Sequence, residues 1–483
     1  MDFISPNYYT LFLPIVVLLV FNFRKNLNRQ ILILLFASYF FFIFASGWHI
    51  LLLLTSTLVD WISGDKIHNS ESKETRKRWL IGSLSVNLGI LCLFKYLDFF
   101  ISTFNLITLR IGQPVEWQGF DLLLPVGISF YTFQTMSYTI DIYRKKHEPY
   151  DRFMDFACYA AFFPQLVAGP IVRSQHFLEQ IRKPLTMSTY RVRFGLTLII
   201  YGLAKKLIVA DNVAIHVNNI FSEGAALDNT GLVWWGALCF GIQIYCDFSA
   251  YTDIALGSAH LLGIELPENF QSPYAARSPQ DFWRRWHISL SSWLRDYLYI
   301  PLGGSRGGRK ILIKSIMGTM ILGGLWHGAS WNFVLWGVMH GILLLSHRTI
   351  STHGITERLF SYFPKVMGLT GWIVTQFFIF MTWLVFRIED TSMLIRSLKT
   401  YLMIDSNWDN EEFLDSLPEI KFLTFGIVLL FILFHGVSGR IGGLKIWISK
   451  QNPFVWSVLC GGLICVAILL RPAENIEFIY FRF

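Results

Sequence analysis

The feature that most constrains this chain is the recurrence, from end to end, of apolar runs matched to the thickness of a bilayer. A hydrocarbon core of about 30 Å needs roughly 20 apolar helical residues. Runs of that kind lie near 8–23, 30–46, 47–60, 79–97, 121–141, 153–172, 194–210, 231–262, 311–326, 331–346, 366–387, 420–436 and 454–471. Several are short or polar, so some re-enter rather than cross. The expectation is an all-α polytopic membrane protein with roughly 11–13 membrane segments, re-entrant hairpins included. Composition agrees. Charged residues make up 15% of the chain, against about 25% in a soluble domain, and mean hydropathy is +0.45. The 43 phenylalanines and 17 tryptophans suit interface belts and apolar walls.

A net charge of +8 would suggest nucleic acid in a soluble protein, but here the bilayer is the expected partner and the charges sort by loop. Lys and Arg gather in cytoplasmic loops, and "RKNLNR" (24–29), "DKIHNSESKETRKR" (65–78), "RKKHEPYDR" (144–152), 173–193 and 277–310 carry them. Segment 211–230 holds Asp211, Glu223 and Asp228 with no Lys or Arg, and 388–419 holds eight carboxylates against Arg396 and Lys399; both read as external. The positive charges near the N-terminus follow the first apolar run, the reverse of a cleavable signal, so that helix is expected to stay with its N-terminus outside. Alternation then fails at "FMDFACYAAFFPQLVAGPIV" (153–172), which has basic loops on both sides. Pro164, Gly169 and Pro170 break helices. A re-entrant hairpin follows, its irregular backbone covered by protein or lining a vestibule.

Segment 277–310, "RSPQDFWRRWHISLSSWLRDYLYIPLGGSRGGRK", has a signposted helix start: Ser278 as N-cap, Pro279 as first helical residue, and Asp281 completing a capping box. Pro301 and Gly303–Gly304 end it. A 3.6-residue period puts Trp283, Trp286, His287, Leu290, Leu294 and Leu298 on one face, with Arg284, Arg285, Arg295 and Asp296 mostly elsewhere. Either this is an interfacial amphipathic helix, or His287 points inward and the arginines meet an anionic ligand, for which guanidinium geometry suits phosphate.

The stretch "ILGGLWHGASWNFVLWGVMHG" (321–341) places His327 in membrane-grade sequence. Glycines 323 and 324 let another backbone or a substrate come close. Trp326 and Trp331 can wall off a narrow space, while Ser330 and Asn332 offer donors that could orient a ring nitrogen. The bland alternative is a bond to a neighbouring helix carbonyl, but intramembrane ionisable groups are rare and mark sites, and an imidazole takes a proton near neutral pH. His340, thirteen residues on and roughly opposite on an ideal helix, reads as structural. Asp247 and Asp253 sit in an apolar stretch and call for Arg or Lys partners; Asp141 reads as a helix-end charge. The six cysteines form no CxxC pair and read as buried inert thiols, with no metal site and no disulfide framework.

Together, "ENFQSPYAARSPQDFWRRWHISLSSWLRDYLYIPLGGSRGG", "GGLWHGASWNFVLWGVMHG", "LLLPVGISFYTFQTMSYTIDIYR" and "FFPQLVAGPI" resemble the membrane-bound O-acyltransferase family. The resemblance is to the bacterial branch of alginate O-acetylation proteins and, more distantly, teichoic acid D-alanyl transfer proteins. It spans most of the chain, strongest over about 120–390 and weaker in 391–483, and suggests a single membrane-embedded domain over 1–483. It implies a ring of helices around a transmembrane tunnel. His327 matches the invariant histidine of the W-H-G motif, and His287 matches a second characteristic position. Trp286, Trp326, Ser330, Trp331 and Asn332 are then candidate substrate contacts, and Arg284, Arg285 and Arg295 could receive CoA phosphates. The implied reaction moves an acyl group, acetyl first among candidates, from a cytoplasmic thioester (acetyl-CoA or an acyl-carrier donor) with no bound cofactor. The implied acceptor is a polysaccharide outside the bacterial cytoplasmic (inner) membrane, reached through a separate periplasmic or extracellular acetyltransferase. A lipid or protein acceptor is the alternative within the enzyme class. A transporter or flippase would show internal repeats or paired interrupted helices, and the chain shows neither.

Overall fold

A computed structural model of the protein describes residues 3–222, 227–351, 354, 361–404, 421–440, 443–473, 476, 478 and 479. The expected external loops 211–230 and 388–419 therefore fall partly outside the described residues, at 223–226 and 405–419. Every regular element described is helical. Among the described residues, seven helical stretches are long and apolar enough to cross a membrane: Leu27–Asn69, Lys73–Arg110, Thr230–Leu261, Trp331–Ser351, Pro364–Arg387, Phe422–Gly439 and Pro453–Leu470. The shorter Tyr8–Asn22 is also apolar. The chain divides into two compact units: Met1–Ile199 with Ile254–Pro267, and Ile200–Asp253 with Glu268–Phe483.

In the first unit, the segment expected to break does so. Helix Phe153–Ala161 stops before Pro164, a four-residue helix follows at Phe163–Leu166, and residues 155–172 are all buried. The side chains of Gln134 and Gln165 both donate to the Tyr159 carbonyl at 2.7 Å. Ser38 accepts from the Phe163 N–H at 3.1 Å, and the Tyr159 hydroxyl donates to the Val172 carbonyl at 3.0 Å. Irregular backbone deep in a membrane protein must be satisfied in this way. This segment is packed inside protein. The unit also holds a buried carboxylate that the sequence reading passed over. Asp60 accepts from Ser83 at 2.6 Å and from Asn87 at 2.8 and 2.9 Å, neutral donors on a neighbouring helix.

The second unit is built on a large aromatic core in which Trp286, Trp336 and Trp383 are among the most deeply buried side chains. Its central feature is the hairpin of Gly308–His327 and Trp331–Ser351. A Cβ at Gly324 would collide with the Phe333 carbonyl, and one at Gly337 with the Met320 carbonyl. These glycines are what allow the two backbones to touch.

Four cysteines are buried as expected, but Cys92 and Cys465 are exposed, on apolar helices where exposure is to whatever surrounds the helix. Asp141 is a helix-end charge, 3.0 Å from the Lys146 ammonium.

Candidate active site

The cap predicted for segment 277–310 forms: the Asp281 N–H donates to Ser278 Oγ at 3.1 Å. The Asp281 carboxylate reaches back to the Arg277 N–H at 3.2 Å, one residue earlier than a capping box requires. The long amphipathic helix does not form. It breaks into Pro279–Arg285 and Ile288–Leu294, and His287 sits at the break with φ +43° and ψ +55°. A left-handed histidine is uncommon, and such backbone persists where its surroundings enforce it. Asn269 does so. Its backbone carbonyl accepts from the Ile288 N–H at 3.0 Å and its side-chain oxygen from the Ser289 N–H at 3.2 Å, occupying two of the donors that a helix start leaves open. The break turns His287 into the core, where it is fully buried. His287 lies outside the seven apolar spans, and burial pushes its imidazole down to about 3, so it is neutral at physiological pH.

His327 ends its helix at the closed end of the hairpin and is 5% exposed. Its ring packs edge-on against Trp326 and Trp336, each at 5.1 Å, and against Phe386 at 5.6 Å. The His287 ring lies 6.4 Å from it, and Trp326 packs on both, 5.8 Å from His287. The structure thus brings together His327, His287 and Trp326, with Trp286 buried in the adjoining aromatic layer.

It separates the others. Trp331 is 59% exposed; Trp336 takes the wall position assigned to it. Asn332 does not address the imidazole, because its amide donates to the Ile388 and Glu389 carbonyls at 2.7 and 3.3 Å, tying the hairpin turn to the end of Pro364–Arg387. Ser330, in the turn itself, is half-buried. His340, set aside on helical phase, packs 4.4 Å from Trp336, the same indole that His327 touches. The turn at residues 328–330 resets the phase on which that separation rested.

The three arginines also part company. Arg284 and Arg295 line one cavity of about 700 Å³ together with Arg348, Trp283, Thr319, Met320 and Leu344. Arg285 instead lines a smaller chamber of about 350 Å³ and pairs with Asp281 at 2.8 Å. In that chamber the Asp253 carboxylate meets Lys205 at 2.6 Å and Lys445 at 2.8 Å, and Lys445 meets Glu268 at 2.8 Å. Burial would lower the Lys445 ammonium, but the two carboxylates outweigh it and hold Lys445 well above its ordinary value. Asp247 pairs with Lys206 at 2.6 Å, and Lys206 with Asp211 at 2.8 Å. The cations that Asp247 and Asp253 called for are thus the lysines of "AKKLIVAD", which no periodicity singles out, plus one from the C-terminal part of the chain.

Buried histidines around a glycine-opened hairpin, in a helical protein with seven bilayer-length apolar stretches among the described residues, make a candidate membrane-embedded active site. A profile of the membrane-bound O-acyltransferase family matches residues 146–389, and the chain belongs to that family. It is a multi-pass membrane O-acyltransferase. It is 36% identical over 426 residues to a peptidoglycan O-acetyltransferase of Helicobacter pylori, covering 82% of this chain and 79% of that one. It is 38% identical over 395 residues to a probable alginate O-acetylase of Pseudomonas aeruginosa, covering 81% and 72%. A teichoic acid D-alanyltransferase of Bacillus subtilis is 30% identical over 241 residues, covering 46% and 59%.

Proposed function

We propose that this enzyme takes an acetyl group from a pantetheine thioester on the cytoplasmic side of the bacterial inner membrane for O-acetylation of a cell-envelope polysaccharide, with His327 as general base. The observation that carries the reading is the placement of His327: a buried imidazole at the closed end of the hairpin, 6.4 Å from a second buried imidazole. An acceptor hydroxyl gives its proton to the His327 ring as its oxygen attacks the thioester carbonyl. The tetrahedral intermediate collapses, the C–S bond breaks, and the departing thiolate takes the proton back from His327. General-base help of this kind is worth about 10²–10⁴ in rate. His287, neutral and held by an enforced backbone turn, positions the donor or the carbonyl oxygen.

Arg284 and Arg295 at the wider cavity suit the donor's phosphates. Carriage of the acetyl group onto the polymer by a separate envelope transferase fits the glycopolymer acceptors in the relatives' names.

Purified protein in proteoliposomes, given radiolabelled acetyl-CoA on one side and a hydroxyl acceptor on the other, tests this. The reading expects a new acetyl ester; passage of label without ester formation contradicts it.

A further inference from the structure

The break at His287 is an exchange of hydrogen bonds. In an uninterrupted helix the Ile288 and Ser289 N–H groups would donate to the carbonyls four residues earlier, those of Arg284 and Arg285. Residues 269–271 take their place. The Ile288 N–H donates to the Asn269 carbonyl at 3.0 Å, and the Ser289 N–H donates to Asn269 Oδ1 at 3.2 Å. The Arg285 carbonyl, which Ser289 would have used, accepts from the Gln271 N–H at 3.0 Å. The end of one short helix and the start of the next are therefore satisfied by the same three residues, as groups orphaned at helix ends must be when they are buried. Phe270, between the two, packs 5.1 Å from Trp286 and 5.0 Å from Phe248, and the Phe248 ring stands edge-on to His287 at 4.7 Å.

The residue that takes the left-handed conformation is the histidine itself, with φ +43°. Glycine adopts that conformation without penalty. A residue with a Cβ holds it only under constraint, and constraints of this kind cluster at active sites. Asn269 supplies two of the three bonds that impose it. Its side chain is fully buried, and its amide nitrogen has no partner among the described residues, so the oxygen is the side-chain atom that holds the turn. Without that oxygen the Ser289 N–H returns to its helical partner, the helix closes across residue 287, and the imidazole is redirected.

We propose that Asn269 is a positioning residue for acetyl transfer, keeping the helix broken so that the His287 imidazole stays 6.4 Å from that of His327. The proposal rests on the role given to His287 above and adds a residue to which that reading assigns no part.

Asn269→Leu keeps the shape and removes the acceptor; Asn269→Asp keeps both. Each is assayed in proteoliposomes for kcat/KM of acetyl transfer from acetyl-CoA to a hydroxyl acceptor, alone and combined with His287→Ala. Positioning predicts a fall of about tenfold to a hundredfold in Asn269→Leu, the scale expected when a reacting group is displaced by about 1 Å. Asn269→Asp recovers most of that loss. Asn269→Ser, smaller and still polar but too short to reach Ser289, reproduces the fall in a variant better able to fold and insert. In the His287→Ala background Asn269→Leu adds less than about twofold, because residues that act as one unit are not additive. An unchanged rate in Asn269→Leu and Asn269→Ser overturns the proposal. So does an equal loss in both backgrounds, the mark of a role in folding alone, or a loss in Asn269→Asp as large as that in Asn269→Leu. If His287→Ala alone transfers acetyl at the wild-type rate, the role of His287 fails and the proposal with it; if that variant is impaired and Asn269→Leu is not, only the positioning role fails.

Discussion

Two cavities are lined by residues of the broken segment Pro279–Leu294, and consecutive arginines face different ones. In the smaller, the lining cations Lys205, Lys445 and Arg285 are met by Asp253, Glu268 and Asp281 at 2.6–2.8 Å. In the larger, Arg284, Arg295 and Arg348 share the lining with neutral polar and apolar side chains, with no carboxylate among the described lining residues, and Arg295 pairs with Asp296 at 2.8 Å. The smaller chamber matches each of Lys205, Lys445 and Arg285 with a carboxylate, whereas at the larger cavity the partner of Arg295, Asp296, lies outside the described lining. Adjacent arginines thus face different cavities, Arg285 the charge-paired chamber and Arg284 the wider one, where we propose that it meets the donor.

The largest expected effect that would break this comparison is on stability. Asp253→Ala leaves two buried ammonium groups facing each other, and removing one partner of a buried pair costs roughly 3–5 kcal/mol. Thermal unfolding in detergent should show a large drop in Tm; an unshifted Tm would mean the chamber is not structural. Gly324→Ala comes next. Its methyl meets the Phe333 carbonyl, and overpacking typically costs 1–3 kcal/mol, with activity falling as the hairpin that holds His327 splays.

In the other cavity the signature inverts. Arg284→Gln and Arg295→Gln should each raise the donor KM by about tenfold, since hydrogen bonds to charged groups contribute about 1.5–3 kcal/mol, while Tm moves little. Arg285→Gln should leave the donor KM within about twofold, because that side chain faces the other chamber; a tenfold rise there would erase the distinction drawn between the two arginines. The smallest effect is expected at Trp331. Its exposed ring makes Trp331→Ala nearly silent, within about 0.5 kcal/mol in stability, whereas Trp336→Ala, behind His327, should lose most acetyl transfer.

The contrast also shows what a sequence can carry. Membrane class, the cap at Ser278, the broken segment at 153–172 and the burial of His327 were legible, because they depend on local pattern or on the cost of placing a polar group in hydrocarbon. The break at His287 was not. Its cause is Asn269, eighteen residues earlier, whose carbonyls fix a left-handed turn that no local signal announces. The helical wheel that set His340 aside assumed an uninterrupted helix, and the turn after Gly328 invalidates it. Lys205 and Lys206 escaped notice because adjacent lysines on an apolar helix identify no partner until the fold supplies Asp253 and Asp247. The sequence reading placed Trp331 at the wall beside His327, and only packing shows that Trp336 stands there instead.

The most direct test is the rate of acetyl transfer to a hydroxyl acceptor by His327→Gln, in protein that folds and inserts at the wild-type level. The account predicts a fall in kcat of about 10²–10⁴ with donor KM nearly preserved; a variant that acetylates at the wild-type rate would contradict it.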